Sequence, residues 1–422
     1  MRPGTMGVRI VCAGIAIGLT SEFYFAGLVC GISSRWFEGF ALLIATAGWA
    51  CGRGTTRATR PTRPDVFARW PAGVFALLVV CELAAFVWVS VRTPRGGWDA
   101  WAIWNLRAHF LYRGGGAAWR DGFTNVIGWA HPDYPLLLPA FVARGWELLG
   151  RESRAVPIAL AGFFTFGSVA LMATSLATLR GARQGLLAGM ALAATPFFFV
   201  QGAMQCADVP VAFFRLATLA ALAMADRSHS GGLAALAGAA AALDGWTKNE
   251  GLLWFTAFLL ARVVVAGGRL LPAYIAGAAP VLAPIVYFKA RIAPSSYIFD
   301  GTARAGMLVR ATDPARYRLI AVEGFRHAWD FGPLLVSAVA MLAVYLAVAG
   351  LRRDGEDRSI LRTGVLAVLF TTLGYFAIYL LEPLDLAWIL RTSSDRLLLQ
   401  LWPGIIFVVF LAARVPQDRT GA

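Results

Sequence analysis

The feature that most constrains this chain is the recurrence, along nearly its whole length, of windows of roughly 20 mostly apolar residues, the length a helix needs to cross a bilayer. Hydropathy marks about twelve of them. They lie near residues 8 to 31, 36 to 51, 71 to 91, 155 to 179, 184 to 203, 207 to 225, 231 to 247, 251 to 267, 270 to 289, 333 to 351, 363 to 381 and 398 to 414, the second and seventh being short. Only 15% of residues are charged and 58% are hydrophobic, whereas soluble domains carry about a quarter charged residues. The expected fold is therefore all-α: a polytopic transmembrane helical protein of about twelve spans, residues 1–422 forming a single transmembrane domain. Coiled coil and disorder are excluded because apolar residues dominate without heptads. A disulfide scaffold is excluded because Cys12, Cys30, Cys51, Cys81 and Cys206 form no CxxC pair.

Topology follows from where the short basic loops fall, since arginine and lysine accumulate on the cytoplasmic side. The loop after the second window carries Arg53, Arg57, Arg60, Arg63 and Arg69 against Asp65, with Pro61 and Pro64 opposing a helix. Placing it inside puts Arg180, Arg183, Arg227, Arg269, the Arg352 to Arg362 loop and the C-terminus inside as well. The N-terminal apolar run is read as a retained first helix, because Glu22 and Phe23 stand where a small-residue cleavage site is expected. The formal charge of +14 is assigned to topology and anionic membrane lipids. No nucleic-acid partner is expected, for no water-soluble domain is present to carry a basic face.

This topology sends residues 92–154 and 290–332 outward, two segments too long and too aromatic to be simple connectors. WDAWAIWNLRAHFLYRGGG places Trp101, Trp104, Ala108 and Leu111 at helical spacing and ends on Gly114 to Gly116, which predicts an interfacial helix. HPDYPLLLPAFVARGWELLG predicts a second short helix beginning at Pro135, with Trp146 as a headgroup-level anchor. DPARYRLIAVEGFRHAWDFG predicts a third, with Asp313 as N-cap and Pro314 as its first residue. Arg304, Arg310, Arg316, Arg318 and Arg326 make that outer segment basic and attractive to lipid phosphates.

Several outer residues could carry chemistry, each with a structural alternative. Asp99, flanked by Trp98, Trp101 and Trp104, is placed to act as a general base in an indole-lined site, or to cap its helix. In HPDYP, His131 and Asp133 could hold a divalent cation against a phosphate, with Tyr134 beside them, or Asp133 could cap the next helix. Asp208 in CADVP is an ionisable group near membrane depth or an N-cap. TKNEG sets Lys248, Asn249 and Glu250 in an outer turn, where Lys248 could meet a phosphate or pair weakly with Glu250 in a solvated hairpin. Lys248 and Lys289 are the only lysines among 38 basic residues, which favours a function for Lys248. LRTSSDRLLLQLWP puts Arg391, Asp395 and Arg396 at the outer mouth of the last window, either gripping a phosphate or snorkelling. All these residues fall on one face, which suits a lipid-linked phosphate donor: cations neutralise the leaving phosphate while a carboxylate deprotonates an incoming hydroxyl.

In this order GGWDAWAIWNLRA, HPDYPLLLP, CADVP and TKNEG resemble the GT-C superfamily of membrane glycosyltransferases, particularly the glycosyltransferase family 39-like bacterial relatives of protein O-mannosyltransferase and aminoarabinose transferase. The resemblance covers roughly residues 71 to 400 as an ordered layout of short motifs. Two windows precede the span that usually comes first in that family, and the single outer aspartate replaces an acidic pair used by some relatives. The resemblance implies outer-face juxtamembrane helices and inverting transfer of a sugar from a polyprenyl-phosphate carrier to a hydroxyl on a lipid, glycan or protein, at the outer face of a bacterial inner membrane. It implies Asp99 as base, Lys248 with Arg391 or Arg396 on the donor phosphate, and Trp98, Asn105, His131, Asp133, Tyr134, Asp208, Asn249, Glu250 and Asp395 around the substrates. A divalent cation is left open, and no nucleotide-sugar fold is found. The rival readings are a transporter or flippase for a lipid-linked saccharide, which wants essential charges at the midplane, and a non-enzymatic assembly factor.

Overall fold

The apolar windows fold as helices whose ends fall close to the windows themselves. A computed structural model describes residues 3–39, 69–266, 268–332, 337–352, 355 and 357–414. In chain order the helices are α1 (Pro3–Cys30), α2 (Arg69–Arg92), α3 (Asn105–Arg113), α4 (Leu137–Leu149), α5 (Ala155–Arg180), α6 (Ala182–Ala193), α7 (Pro196–Ala203), α8 (Asp208–Ser228), α9 (Gly231–Thr247) and α10 (Asn249–Ala266). They continue with α11 (Leu271–Arg291), α12 (Gly301–Ala305), α13 (Met307–Thr312), α14 (Pro314–Asp330), α15 (Ala338–Ala349), α16 (Arg358–Leu381) and α17 (Leu386–Ala412). Among the described residues the only β pairing is an isolated bridge between Leu351 and Ala413. The chain is a multi-pass helical membrane protein.

Fewer helices among the described residues qualify as full spans than the sequence has windows. Among the described residues seven helices are long and apolar enough to cross a membrane, or eight if the α6–α7 pair, bent by 63°, is one broken span. The bend falls at Pro196, which cannot donate to the preceding turn. Helix α9 has 17 residues, roughly 26 Å at 1.5 Å per residue and short of a hydrocarbon core about 30 Å thick. Helix α15 has only 12. The window at 36 to 51 and the basic loop from Arg53 to Arg63 lie mostly or wholly outside the described residues.

Helix α8 is the axis of the bundle. Every residue from Asp208 to Ala225 is buried, as expected for a helix apolar on all sides, and it packs against α5, α9 and α17. Helices α9 and α11 meet backbone to backbone: a Cβ at Gly238 would stand 1.9 Å from the carbonyl oxygen of Tyr274. The two ends of α8 separate the charges as the topology predicts. At its C-terminal end, Arg227 donates to both carboxylate oxygens of Asp357 at 2.9 and 2.7 Å and to the Leu179 carbonyl, and Arg180 reaches the Ala413 carbonyl. The outer-segment residues gather at its N-terminal end.

In the second outer segment Asp313 caps α14 through Ala315 N, with Pro314 as first residue. Its arginines are not all available to lipid. Arg316 donates to the carbonyls of Tyr379, Leu380 and Glu382, and Arg310 to that of Leu381, satisfying the orphan carbonyls at the end of α16. Two expectations for the first outer segment fail. Helix α4 starts at Leu137 rather than Pro135. Trp146 is buried, with its indole N–H on the Ser153 carbonyl at 2.8 Å, and is no surface anchor.

Candidate functional site

The N-terminal end of α8 collects residues from four distant stretches of chain. Asp208, the first residue of α8, is fully buried and caps nothing. Its Oδ2 accepts from Arg396 Nε at 2.8 Å, and its Oδ1 accepts from Gln400 Nε2 at 2.6 Å and from Lys248 Nζ at 3.2 Å. Asp99 does not cap either: it has helical backbone angles, and its Oδ2 accepts from Arg396 Nη2 at 2.5 Å. Lys248 also pairs with Glu250 at 2.8 Å. Arg396 is thus a guanidinium shared between two carboxylates, and Lys248 an ammonium shared between two.

These contacts set the charges. Burial disfavours an ammonium at Lys248, but the carboxylates of Asp208 and Glu250 outweigh it and hold its pKa well above the usual lysine value. The solvated-hairpin alternative for TKNEG does not hold: Lys248 is buried in an ion cluster with Asp208 and Glu250. The turn depends on Gly251, where a Cβ would stand 2.0 Å from the Asp244 carbonyl oxygen. Gly251→Ala should therefore misplace Lys248, and the expected result is a thermal midpoint lowered by the equivalent of about 1–3 kcal/mol, measured on detergent-purified protein. An unchanged midpoint would show that the turn can widen at no cost.

Asp99 differs from Asp208 in being reachable. Its side chain is 17% exposed, Oδ1 carries no hydrogen bond among the described residues, and Trp98 and Trp101 beside it are half exposed. Asp99 sits against a π-helical turn, Ala100–Trp104, an irregularity frequent at functional sites. Asn105 follows that turn and donates to Gln205 Oε1 at 3.1 Å, while Gly97 N donates to the Met204 carbonyl at 2.9 Å. These bonds clamp the first outer segment to the α7–α8 turn, where Gln205 has a left-handed φ of 59°.

The HPDYP loop forms the adjoining wall. Arg107, buried on α3, donates to the carbonyls of Ala130, His131 and Tyr134 at 2.6, 2.5 and 2.8 Å, and desolvation lowers its pKa to about 10, partly offset by Asp133 and Tyr134. Tyr134 stacks between Trp104 and His131, and Lys248 Nζ lies 5.7 Å from its ring centre. Asp133 accepts from Asn249 Nδ2 at 2.7 Å, and Lys289 donates to Asn249 Oδ1 at 2.5 Å and to the Asp133 carbonyl. Asp133 therefore ties the loop to α10 and caps no helix, and both lysines of the chain converge here.

His131 sits at φ 50°, unusual outside glycine and recurrent at functional sites. Burial lowers its pKa below the ordinary 6.5, with Lys248 and Arg107 adding to the shift and Asp133 opposing it. The unfolded chain thus takes up a proton more readily at this position. The stability contribution is complete above about pH 6.5 and falls as pH drops from there toward the lowered native value. The thermal midpoint of the wild type should decline below that pH more steeply than that of His131→Asn, and parallel curves would remove His131 from this linkage.

Three further placements depart from the sequence reading. Arg391 is exposed and outside the network, because five residues turn a helix by about 140° past a full rotation. Asp395 faces α14, where it meets His327 Nδ1 at 2.8 Å, so it ties the second outer segment to α17. Below the site, Tyr375 OH donates to Gln400 Oε1 at 2.9 Å and accepts from Arg215 Nη1 at 2.7 Å, and Arg215 Nε reaches Asp244 at 3.0 Å. The sequence reading passed over this buried chain. Two signals could have found it: Arg215 and Asp244 are ionisable residues inside apolar windows, and Gln400 lies one turn from Arg396.

A divalent cation does not fit these donors. Among the described residues no three His, Cys, Asp or Glu side chains are grouped to hold a metal, and Asp99 and Asp208 are bridged by a guanidinium. Compared with protein-family models, with curated proteins and with solved structures, the chain matches none.

Proposed function

We propose that the chain is a membrane glycosyltransferase of GT-C type, moving a sugar from a polyprenyl-phosphate carrier to a hydroxyl on the outer face of a bacterial inner membrane. One observation carries the reading: a reachable carboxylate, Asp99, is bridged by the part-buried Arg396 to Asp208, which also holds the buried Lys248. In the reaction the acceptor hydroxyl oxygen attacks the anomeric carbon and gives its proton to Asp99. The bond from that carbon to the phosphate oxygen breaks, and its electron pair leaves on the phosphate. Arg396 and Lys248 meet the charge that develops there, at a site where water is largely excluded and preorganised cations act strongly. A single displacement inverts the sugar centre. The half-exposed Trp98 and Trp101 offer aromatic faces for the sugar.

The test supplies membranes containing the chain with radiolabelled sugars on polyprenyl phosphates and, separately, as nucleotide sugars. Label entering endogenous acceptors from the lipid donors supports the proposal. Label entering only from nucleotide sugars, or from neither, sinks it. The transporter reading draws on the Arg215–Asp244 pair inside the bundle, since buried membrane charges mark transport paths. Here both partners are fully buried, with Trp254 and Tyr375 against the guanidinium, and the pair continues from Asp208, which favours a scaffold for the site. Vesicles that accumulate lipid-linked sugar across the bilayer without transferring it would reverse that preference.

A further inference from the structure

Beside the Asp99 site lies a cavity of about 520 Å³, within the range of small-molecule sites. Trp101, two residues from Asp99, forms one of its walls, and Asn105 lines it as well. It opens where two spans end: Arg95 follows the outer end of α2, and Arg154 precedes the N-terminus of α5, which contributes Pro157 to the lining. The third arginine, Arg113, is engaged, donating to both carboxylate oxygens of Glu152 at 2.5 and 2.7 Å. Arg95 and Arg154 are exposed and make no hydrogen bond or ion pair among the described residues. His109, its ring tilted by 33° against Trp146 with centroids 4.7 Å apart, holds Nδ1 3.1 Å from Glu152 Oε1.

The lining is thus three guanidiniums against one carboxylate, and that carboxylate is already neutralised by Arg113. The positive end of the α5 dipole adds to the same field. A neutral glycan would leave Arg95 and Arg154 unmatched, whereas a phosphate meets both as forked donors. The position at the mouths of α2 and α5 selects a ligand whose tail stays in the bilayer, and the half-exposed Trp101 suits the headgroup level.

We infer that this cavity takes the phosphate-bearing headgroup of an acidic amphiphile and, on the glycosyltransferase reading above, presents that molecule to Asp99 as the acceptor. The donor phosphate has its own cations in Arg396 and Lys248, so the two anions occupy separate basic sites.

The test is native mass spectrometry of the detergent-purified full chain with phosphatidylglycerol, with phosphatidylcholine and with inorganic phosphate as competitor. Phosphatidylglycerol should bind roughly tenfold more tightly than phosphatidylcholine, the worth of about one charge-assisted contact. R95Q/R154Q should abolish that preference, and R269Q, at an exposed arginine in the α10–α11 turn, should keep it. Equal retention of both lipids, or a preference unchanged in R95Q/R154Q, overturns the proposal. Inorganic phosphate displacing the lipid at equal concentration overturns its lipid source. The readout needs no sugar transfer. A chain that binds phosphatidylglycerol as expected but transfers nothing fails the glycosyltransferase reading alone, and one that transfers sugar without the lipid preference fails this inference alone.

Discussion

Asp99→Asn is expected to lower sugar transfer by about 10²- to 10⁴-fold, the usual weight of a positioned general base, while the protein purifies at wild-type yield. The amide keeps an oxygen for Arg396 Nη2, so the bond now at 2.5 Å survives and the outer segment stays docked through Asn105 and Gly97. What it loses is the capacity to take a proton from the acceptor hydroxyl. The measurement is initial transfer rate from a polyprenyl-phosphate donor at matched protein, with elution profile and thermal midpoint as folding controls. Normal transfer by a well-folded variant would reduce Asp99 to a positioning partner of Arg396 and remove the base from the mechanism.

Asp208→Ala is expected to act on stability first. Lys248 would stay buried with only Glu250 and Arg396 would keep only Asp99, and breaking a buried pair from one side costs up to about 3–5 kcal/mol. Gln400 would lose its acceptor as well. The comparison variant is Asp395→Ala, which removes a half-exposed carboxylate from His327 and should cost no more than about 1 kcal/mol. Thermal unfolding of both in one detergent decides the matter. A midpoint for Asp208→Ala no lower than that for Asp395→Ala would mean that water or lipid headgroups already solvate this cluster.

The contrast between these two aspartates also marks what local sequence rules can see. At Asp99 the short-range pattern offered an N-cap as readily as a functional carboxylate, at Asp133 and Asp208 it favoured the cap, and all three make tertiary contacts instead. The partner that decides Asp208 lies 188 residues away and the one that decides Asp99 lies 297 away, far beyond any helix-start motif. At Asp313, where no distant cation competes, the cap forms as predicted. Arg391 and Arg396 looked equivalent along the chain, yet helical phase separates them: one faces outward and the other joins Asp208 through α17. The scarcity of lysine was informative, since Lys248 and Lys289 both meet the residues of TKNEG and HPDYP.

What the sequence by itself determined was the helical membrane architecture and the sorting of charges to two ends of the bundle. Apolar windows and basic loops are local properties, and the bilayer acts on each separately: apolar windows must pair their backbone groups internally, and arginines must end in water or at headgroups. What only the tertiary structure decided was which ionisable residues come together in one ion-pair network. That depends on helix phase, on a break such as the one at Pro196 and on burial of the whole of α8, each of which brings residues into contact through packing between helices. Asp208 becomes the anchor of two cations because α17 and the α9–α10 turn both close over the end of α8, and no window of sequence contains all three.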